Sequence, residues 1–334
     1  MHCADEEEII MCDIVYHYTS PDGILAMLKN KTLRFTDCQY LNDKSEFLYI
    51  REPYEKAWAK ICKKFKEEFN KSDVDHMIRN LLLSPYQMDE VDYEKCTWEK
   101  GAKFNDLVKR YTKTYRYYVL CCSKNEDASN MWNYFVKNGA YLGYNIGIDI
   151  STLEGKFINT SNKNNGIEIF SGSVIYDLEQ QINILFNKMK EVIVDKNKEL
   201  ANLFATNDMN LFANDMNLFA KVQFGLWSFI NKQKLFFKNP AFKNEDEYRF
   251  VLKVDNDFRE DGGLKLDFRA GESGIITPFI EWKYTLHDKR NLFKQITLAP
   301  TIEPTLAEES FKRFLDTTVY QGLKIKPSSI KMRF

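Results

Sequence analysis

Strand-like segments lie at both ends of this 334-residue chain and two long helical stretches interrupt them, which is the feature that most constrains its fold. The segment DIVYHYT (13–19) has the β-branched and aromatic residues of a strand and stops at a turn signal, and strand patterns dominate again after residue 238. The stretches at about 46–113 and 179–237 have helical periodicity and lysine-rich runs. Because strands and helices do not alternate regularly, the chain favours an α+β fold over a doubly wound parallel sheet. We therefore predict a single domain over residues 1–334, with central mixed or antiparallel sheets and these two stretches as helical insertions.

Charge and cysteine content limit the class of protein. Lys and Arg total 47 and Asp and Glu total 48, so the net charge of −1 gives no general attraction to nucleic acid or to an anionic membrane. The seven cysteines have no C-x-x-C spacing, which is typical of reduced thiols in a cytosol. The acidic start MHCADEEEII is unlike a signal peptide, and no apolar stretch approaches the roughly 18–20 residues of a membrane helix. These observations predict a cytoplasmic protein that has no membrane partner.

Sequence motifs of the common enzyme classes are absent from the chain. There is no G-x-G-x-x-G or G-x-x-x-x-G-K-[ST] for a nucleotide phosphate, no H-E-x-x-H for zinc and no G-x-S-x-G for a nucleophilic serine. The four histidines are also too few and too scattered for a multi-histidine centre, so we predict no metal site.

Four segments carry more polar and aromatic residues than a buried core needs. They are YHYTS (16–20), YLNDKSE (40–46), SNMWNYF (129–135) and NEDEYRF (244–250). In the last of these, Glu245, Glu247 and Arg249 share one face if the segment is a strand. Such a row is either a solvated edge with a Glu–Arg pair or a carboxylate held in a cleft by its neighbours.

These four segments, in this order, resemble a large uncharacterised bacterial family that has the motifs YHYTS, LND..E, MW..Y and E.E.R. The segments ITLAP (296–300) and SSIKMRF (328–334), the second predicted as a final strand, also fit that family. The family in turn resembles the ADP-ribosyltransferase superfamily. In that superfamily a first strand ends in a histidine near a hydroxyl residue, a helix of the type GILAMLKNKTL (23–33) and a short strand follow, and a glutamate precedes a late strand. The resemblance implies an ADP-ribosyltransferase-like fold with NAD as the substrate.

Carried over residue by residue, the resemblance makes His17 the first-strand histidine and Glu247, or alternatively Glu245, the catalytic glutamate. Trp132 or Tyr134 takes the place of the central aromatic residue. Cleavage of the nicotinamide–ribose bond develops positive charge on the ribose, which a carboxylate stabilises. A neutral histidine can hydrogen-bond a ribose hydroxyl.

Further residues complete the implied site. Tyr18 and Thr19 assist from the first strand, and an aromatic wall formed by Trp132 stacks on the cationic nicotinamide ring. Arg34 or Arg249 neutralises the pyrophosphate through bidentate contacts. The implied mechanism needs no metal.

Three functions remain open from the residues. The first is NAD consumption, by ADP-ribosyl transfer to a nucleic-acid or protein acceptor or by NAD hydrolysis, in a toxin or phage-defence effector by analogy with the family. The second is a metal-dependent nuclease that uses Asp43, Glu46, Glu245 and Glu247. The third is a non-enzymatic nucleotide-binding module whose helical insertions contact a partner protein. We favour the first, which requires the imidazole of His17 and the carboxylate of Glu247 to lie in one cleft.

Each site residue also has a structural alternative. His17 can donate to a backbone carbonyl in the core. Met131, Trp132 and Tyr134 can be core residues. Glu247 and Arg249 can be a structural ion pair.

Overall fold

Contacts within the chain define two units whose segments alternate along the sequence. We call the first the sheet unit, which comprises Met1–Leu41, Tyr115–Ser173 and Asn244–Phe334, and the second the helical unit, which comprises Asn42–Thr114 and Val174–Lys243. The structure is a computed structural model that describes residues 13–41, 46–69, 115–135, 142–161, 167–191, 216–255, 258, 260–261, 263–270, 274–284 and 292–331. The single domain over residues 1–334 stays a prediction.

Eleven strands form one sheet in the sheet unit. They are β1 (Ile14–Thr19), β2 (Thr32–Asp37), β3 (Tyr115–Ser123), β4 (Tyr144–Asp149), β5 (Glu168–Ser173), β6 (Glu247–Asp255), β7 (Glu260–Asp261), β8 (Leu264–Ala270), β9 (Ile276–Lys283), β10 (Phe293–Leu298) and β11 (Lys324–Pro327). Their order is β11-β10-β4-β1-β3-β2-β9-β8-β7, and β6 pairs with β3 and β5 beside this path. The β10–β11 pair is parallel and the other described strand pairs are antiparallel. This mixed sheet, with its helices, confirms the α+β class.

The helices begin and end at recognisable signals. The described helices are α1 (Pro21–Asn30), α2 (Glu46–Tyr49), α3 (Arg51–Phe69), α4 (Ser129–Phe135), α5 (Ile150–Ser161), α6 (Leu178–Lys190), α7 (Met216–Gln233) and α8 (Pro304–Asp316). Ser20 caps α1 by accepting from the Gly23 N–H at 3.1 Å, and Pro21 occupies the first helical position, as is typical of a Ser-Pro pair at a helix start. Lys31 ends the helix in the left-handed region, at φ 57°. None of these helices is both long and apolar enough to cross a membrane.

The main hydrophobic core lies between the sheet and helices α1, α5 and α8. Alternate strand residues, including Val15, Leu120, Ile146 and Phe250, point into it, and we call this side of the sheet the core face. The helices contribute apolar side chains that include Ile24, Leu153 and Phe311. Complete burial of one such side chain contributes about 1.5–3 kcal/mol to the free energy of unfolding. The residues between them along each strand point to the opposite face.

Helices α2, α3, α6 and α7 belong to the helical unit, which contains the two predicted insertions. Gln181 on α6 connects its parts: the side-chain amide donates to the carbonyls of Ile175 (2.6 Å) and Lys238 (3.1 Å). The amide oxygen of Gln181 accepts from the Tyr49 hydroxyl at 2.9 Å. Because Gln181 is fully buried, these bonds satisfy polar atoms that would otherwise be costly to bury. Binding of a partner protein by this unit stays a prediction.

Two predicted strand assignments are wrong. The strand near the end is β11 at Lys324–Pro327, whereas residues 328–331 of the SSIKMRF segment form no strand, and residues 332–334 lie outside the described part of the chain. Glu245 lies in a 3-10 helix (Pro240–Glu245), and Asp246 has φ 42°, so β6 begins only at Glu247. The left-handed residue turns the chain between the two glutamates, which removes Glu245 from the predicted strand face.

Candidate functional site

Strands β1 and β2 both pair with one edge of β3 but at different residues, and we call the place where they separate the fork. Because β6 pairs with the whole length of β3, β1 and β2 share the other edge. β1 meets that edge where Tyr16 pairs with Ser123, and β2 meets it where Thr36 pairs with Val119. Cys121 lies between these two contacts, and its backbone carbonyl accepts a hydrogen bond from a side chain of β1.

His17 supplies that hydrogen bond. Its Nδ1 lies 2.9 Å from the Cys121 oxygen, so the donor role assigns a proton to Nδ1 and leaves Nε2 as the acceptor of the neutral ring. The side chain is half-buried, and Nε2 has no hydrogen-bond partner among the described residues. The contact with a carbonyl matches the structural alternative for His17, but it leaves one ring nitrogen for a ligand.

The surroundings of His17 favour the neutral imidazole. Burial lowers the pKa of His17 below its ordinary value. The hydrogen bond to Cys121 opposes this effect, whereas the positive charge of Arg269 adds to it. The net direction is downward, so the ring is neutral at pH 7 and Nε2 can accept a hydrogen bond from a hydroxyl group.

Glu247 and Arg249 form a buried ion pair on β6. Oε2 of Glu247 accepts from Nε of Arg249 at 2.6 Å and lies 2.5 Å from a terminal guanidinium nitrogen. The two residues are 3% and 1% exposed. Arg249 is therefore committed to Glu247 and inaccessible to a pyrophosphate. Glu245 is also buried, and its backbone carbonyl accepts from the Ser123 hydroxyl at 2.7 Å.

His17 and Glu247 point to opposite faces of the sheet. His17 pairs with Ile146, so its side chain starts from the core face. Glu247 pairs with Ser123, which pairs with Tyr16, so these three side chains start from the opposite face. Two interstrand spacings, on the order of 10 Å, separate β1 from β6. The structure does not bring the imidazole and the carboxylate together on one face.

Tyr18 is buried against a loop of residues 124–128, which we call the acidic loop. The Tyr18 hydroxyl donates to the Asn125 carbonyl at 2.9 Å and accepts from the Ala128 N–H at 3.2 Å. Burial is the main reason that the pKa of Tyr18 is well above its ordinary value. Tyr18 therefore fixes the loop to β1 and has no exposed hydroxyl for a ligand.

Glu126 of the acidic loop binds side chains from two neighbouring strands. Its Oε1 accepts from Nε2 of Gln295 at 2.6 Å and from the Thr297 hydroxyl at 3.1 Å, both on β10. Lys326 on β11 forms an ion pair with the same oxygen. Asn145 on β4 donates to the Glu126 carbonyl, and its own Oδ1 is buried without a hydrogen-bond partner in the described part of the chain.

Asp127, the next residue, accepts four hydrogen bonds. Its Oδ1 receives Nε1 of Trp132 (2.8 Å) and the Ser328 hydroxyl (2.7 Å). Its Oδ2 receives the backbone N–H (2.6 Å) and the hydroxyl (2.8 Å) of Ser329. Burial raises the pKa of Asp127, but these bonds favour the carboxylate and lower the pKa overall. The ITLAP and SSIK segments thus bind the acidic loop through Thr297, Ser328 and Ser329. These contacts give the polar residues of both motifs a structural role.

Trp132 belongs to a small cluster on the opposite face, with Tyr18, Met131 and Ala299. The Trp132 and Tyr18 rings meet edge to face, with centroids 4.6 Å apart and an interplanar angle of 71°. Trp132 has an exposed fraction of 0%. This burial leaves no face of the indole for a nicotinamide ring, and it matches the core alternative for Trp132.

The remaining residues of the implied site lie apart. Tyr134 on α4 is exposed, so the core alternative is wrong for this residue. Thr19 is the last residue of β1, and its Oγ1 would lie only 2.1 Å from a Cβ added to Gly23. Arg34 on β2 is exposed, forms a 3.2 Å ion pair with Glu281 and lies over the ring of Phe279.

Metal ligands were a requirement of the nuclease hypothesis. No group of three or more His, Cys, Asp and Glu side chains with metal-binding geometry occurs within the described ranges. Asp43 lies outside those ranges, and the side chain of Glu46 is not described. The nuclease stays a hypothesis without a ligand set from the described residues.

Sequence reasoning missed Arg269, Asp127 and Asn145. Arg269 lies on β8, 252 residues from His17 in the chain, and no local pattern in GLKLDFRA distinguishes it from a solvated strand residue. Asp127 carried a weak signal, because the acidic pair Glu126–Asp127 lies just before the SNMWNYF segment and could have been compared with the hydroxyl residues of SSIK. Asn145 lies in none of the four segments.

Comparison with known proteins gives one partial match. A family described as "Protein of unknown function (DUF2971)" matches residues 131–250, from the Met-Trp pair of α4 to the first part of β6. The match includes the MW..Y and E.E.R motifs, and the YHYTS segment lies before it. No curated protein matches the chain, and no solved structure matches it.

Proposed function

We propose that the protein binds NAD at the fork between β1 and β2 and breaks its nicotinamide–ribose bond. The observation that carries this proposal is the state of His17, which is fixed to the Cys121 carbonyl through Nδ1 and presents a neutral Nε2 that has no hydrogen-bond partner among the described residues. A hydroxyl of the ribose is a suitable donor to this nitrogen.

Participation of Glu247 depends on the gap in the sheet. β1 and β2 have separate contacts with β3, where Tyr16 pairs with Ser123 and Thr36 pairs with Val119. A dinucleotide is long enough to contact groups that start from both faces at such a gap. In this proposal the Glu247 carboxylate approaches the ribose from the opposite face, and Arg249 is its positioning partner.

The proposed reaction breaks the bond between the ribose C1′ and the nicotinamide nitrogen. The bonding electron pair leaves with neutral nicotinamide, and positive charge develops on the ribose, which the Glu247 carboxylate stabilises. Water or an acceptor hydroxyl then forms the new bond to C1′ and loses its proton, which the carboxylate can accept. Hydrolysis and transfer to a nucleic-acid or protein acceptor differ only in this last step.

Release of nicotinamide from NAD tests the proposal. His17→Asn keeps a donor near Nδ1 for Cys121 but lacks the Nε2 acceptor, so we expect nicotinamide release to fall by about tenfold to a hundredfold with an unchanged melting temperature. Asp316→Asn, at the exposed end of α8 and outside the proposed site, is the control and leaves the rate unchanged. Absence of nicotinamide release by the wild type, with RNA, DNA or protein acceptors added in turn, would remove the proposal.

A non-enzymatic nucleotide-binding module is the second candidate, because the residue Glu247 is only 3% exposed and its carboxylate is already engaged by Arg249. In that case ADP-ribose and NAD raise the melting temperature equally, and no nicotinamide appears. Burial of this carboxylate is the observation that favours binding without turnover.

Analogy with the family supplies the proposed cellular context, which is a toxin or phage-defence effector. Induced expression of the wild type then arrests bacterial growth and depletes NAD, whereas His17→Asn does neither. Growth arrest without loss of NAD would separate toxicity from the proposed reaction.

A further inference from the structure

Charged side chains on β2, β9 and β8 form a row of ion pairs on the opposite face. The register places Arg34 beside Glu281 and Glu281 beside Lys265. Arg34 pairs with Glu281 at 3.2 Å, and Lys265 pairs with Asp267 at 3.5 Å. Each of these charges has a neighbour of opposite sign, as expected for a solvated strand face.

Arg269 differs from the other charges on this face. Within the described part of the chain it has no acidic partner, and its guanidinium donates to the Thr36 hydroxyl at 3.3 Å. Thr36 is the residue at which β2 joins β3, so this bond directs the guanidinium towards the fork. The positive charge therefore lies beside the fork without a described negative charge to balance it.

The positive charges of Arg34 and Arg269 repel one another beside the fork. Burial lowers the pKa of Arg269, and the charge of Arg34 acts in the same direction. The charge of Arg269 in turn lowers the pKa of His17. A bound anion would reverse each of these effects, because it would favour every one of the three charged forms.

We propose that Arg269 and Thr36, which start from the opposite face at the fork, form the subsite for the diphosphate of the ligand. The planar guanidinium can donate two parallel hydrogen bonds to phosphate oxygens. The Thr36 hydroxyl accepts from Arg269 and still has its own proton to donate to the same group. Arg249, which the sequence also suggested for this role, is committed to Glu247. The identity of the ligand rests on the proposed function, whereas the recognition of a diphosphate does not.

Binding of inorganic pyrophosphate and of ADP-ribose to the full chain, by calorimetry at constant ionic strength, tests the subsite. In Arg269→Gln we expect both ligands to bind at least tenfold more weakly. Lys265→Gln is the matched control, because it removes one positive charge from the same strand and the same face but leaves the fork unchanged, and we expect less than a twofold effect. Arg269→Lys keeps the charge without the planar pair of donors and should bind with intermediate affinity. Melting temperatures of the variants verify that each is folded.

Two results would overturn the subsite: equal loss of affinity in Arg269→Gln and Lys265→Gln, which would indicate only a general charge effect, or undiminished binding in Arg269→Gln. Failure of the proposed function is a separate result. Wild-type protein that binds pyrophosphate through Arg269 but never releases nicotinamide keeps the subsite and removes the enzyme. Protein that releases nicotinamide with the same KM for NAD in Arg269→Gln keeps the enzyme and removes the subsite.

Discussion

Arg249 reaches back along β6 to Glu247, two residues earlier, and the two side chains neutralise one another in a part of the sheet unit where they are 1% and 3% exposed. A buried ion pair of this kind is weak evidence for stability, because the loss of hydration of both ions offsets much of their attraction. Removal of one partner is different, since it leaves an uncompensated buried charge.

Glu247→Gln should therefore lower the free energy of unfolding by about 3–5 kcal/mol. Chemical denaturation measures this value. The matched control is Glu281→Gln, which removes the carboxylate from the exposed Arg34–Glu281 pair and should cost less than about 1 kcal/mol. The double variant Glu247→Leu/Arg249→Met, which removes both ions, should recover most of the loss. Similar costs for the two single variants would contradict burial of the Glu247–Arg249 pair, and any activity assay on Glu247→Gln must be read beside its stability.

Asp127→Asn should lower the free energy of unfolding by about 1–3 kcal/mol. Both carboxylate oxygens accept from donors, and the amide nitrogen of asparagine would face donors instead of accepting from them. Because Trp132 donates to this carboxylate, its fluorescence should change in the folded state as well. Asp316→Asn, at the exposed end of α8, is the control and should stay within about 0.5 kcal/mol of the wild type.

Gly23→Ala should destabilise the protein, although the same change in an exposed helix interior usually stabilises it by up to about 1 kcal/mol. The new Cβ would lie 2.1 Å from Oγ1 of Thr19, a distance that requires the threonine or the helix to move. We expect a loss of about 1–3 kcal/mol from this overpacking. In the background of Thr19→Ala, which removes the obstructing oxygen, the same substitution should become neutral or stabilising. Additive effects in the double variant would show that the two residues do not meet.

The pH dependence of stability should report on His17. Its pKa is lowered in the folded state, so below the ordinary value of 6.5 the unfolded chain binds a proton that the folded chain resists. Stability contributed by the neutral ring is therefore complete above pH 6.5 and decreases as the pH falls through that value towards the folded pKa. Thermal unfolding between pH 7.5 and pH 5.5 should show a smaller slope for His17→Asn than for the wild type. A saturating anion at the fork should also reduce the wild-type slope, since it favours the imidazolium.

Local patterns in the sequence predicted the elements well and their contacts poorly. The strands at 14–19, 32–37 and 115–123 and the capped helix α1 follow from alternation, turn signals and the Ser-Pro start, which are all properties of neighbouring residues. The fork does not, because it depends on β1 and β2 pairing with different residues of the same edge of a strand about a hundred positions away. Glu245 was assigned to the strand because its spacing from Glu247 fits alternation, and no pattern revealed the left-handed Asp246 between them.

In the candidate site, too, residue types could be predicted from the sequence, whereas their contacts could not. Sequence reasoning selected His17, which lies at the fork, and Glu247 and Arg249, which lie on β6 along the other edge of β3. It could not tell which side of the sheet each faces, because that depends on pairing register. It also interpreted Trp132 and Tyr18 as ligand contacts, whereas their polar atoms bind the acidic loop. Polar groups on aromatic residues need a partner whether they are buried or bind a ligand, so the residue types alone could not separate these two roles.

The bonds from Ser328 and Ser329 to Asp127 join positions about two hundred residues apart. On the ribosome, the acidic loop is made long before Ser328, Ser329 and the side chains that bind Glu126 exist, and during that interval the Asp127 carboxylate has only Trp132 and water as donors. The acidic loop and its neighbours β3 and α4 should therefore reach their final contacts only after synthesis has passed residue 329. A chain that ends before that residue should be cut by proteases between β3 and α4.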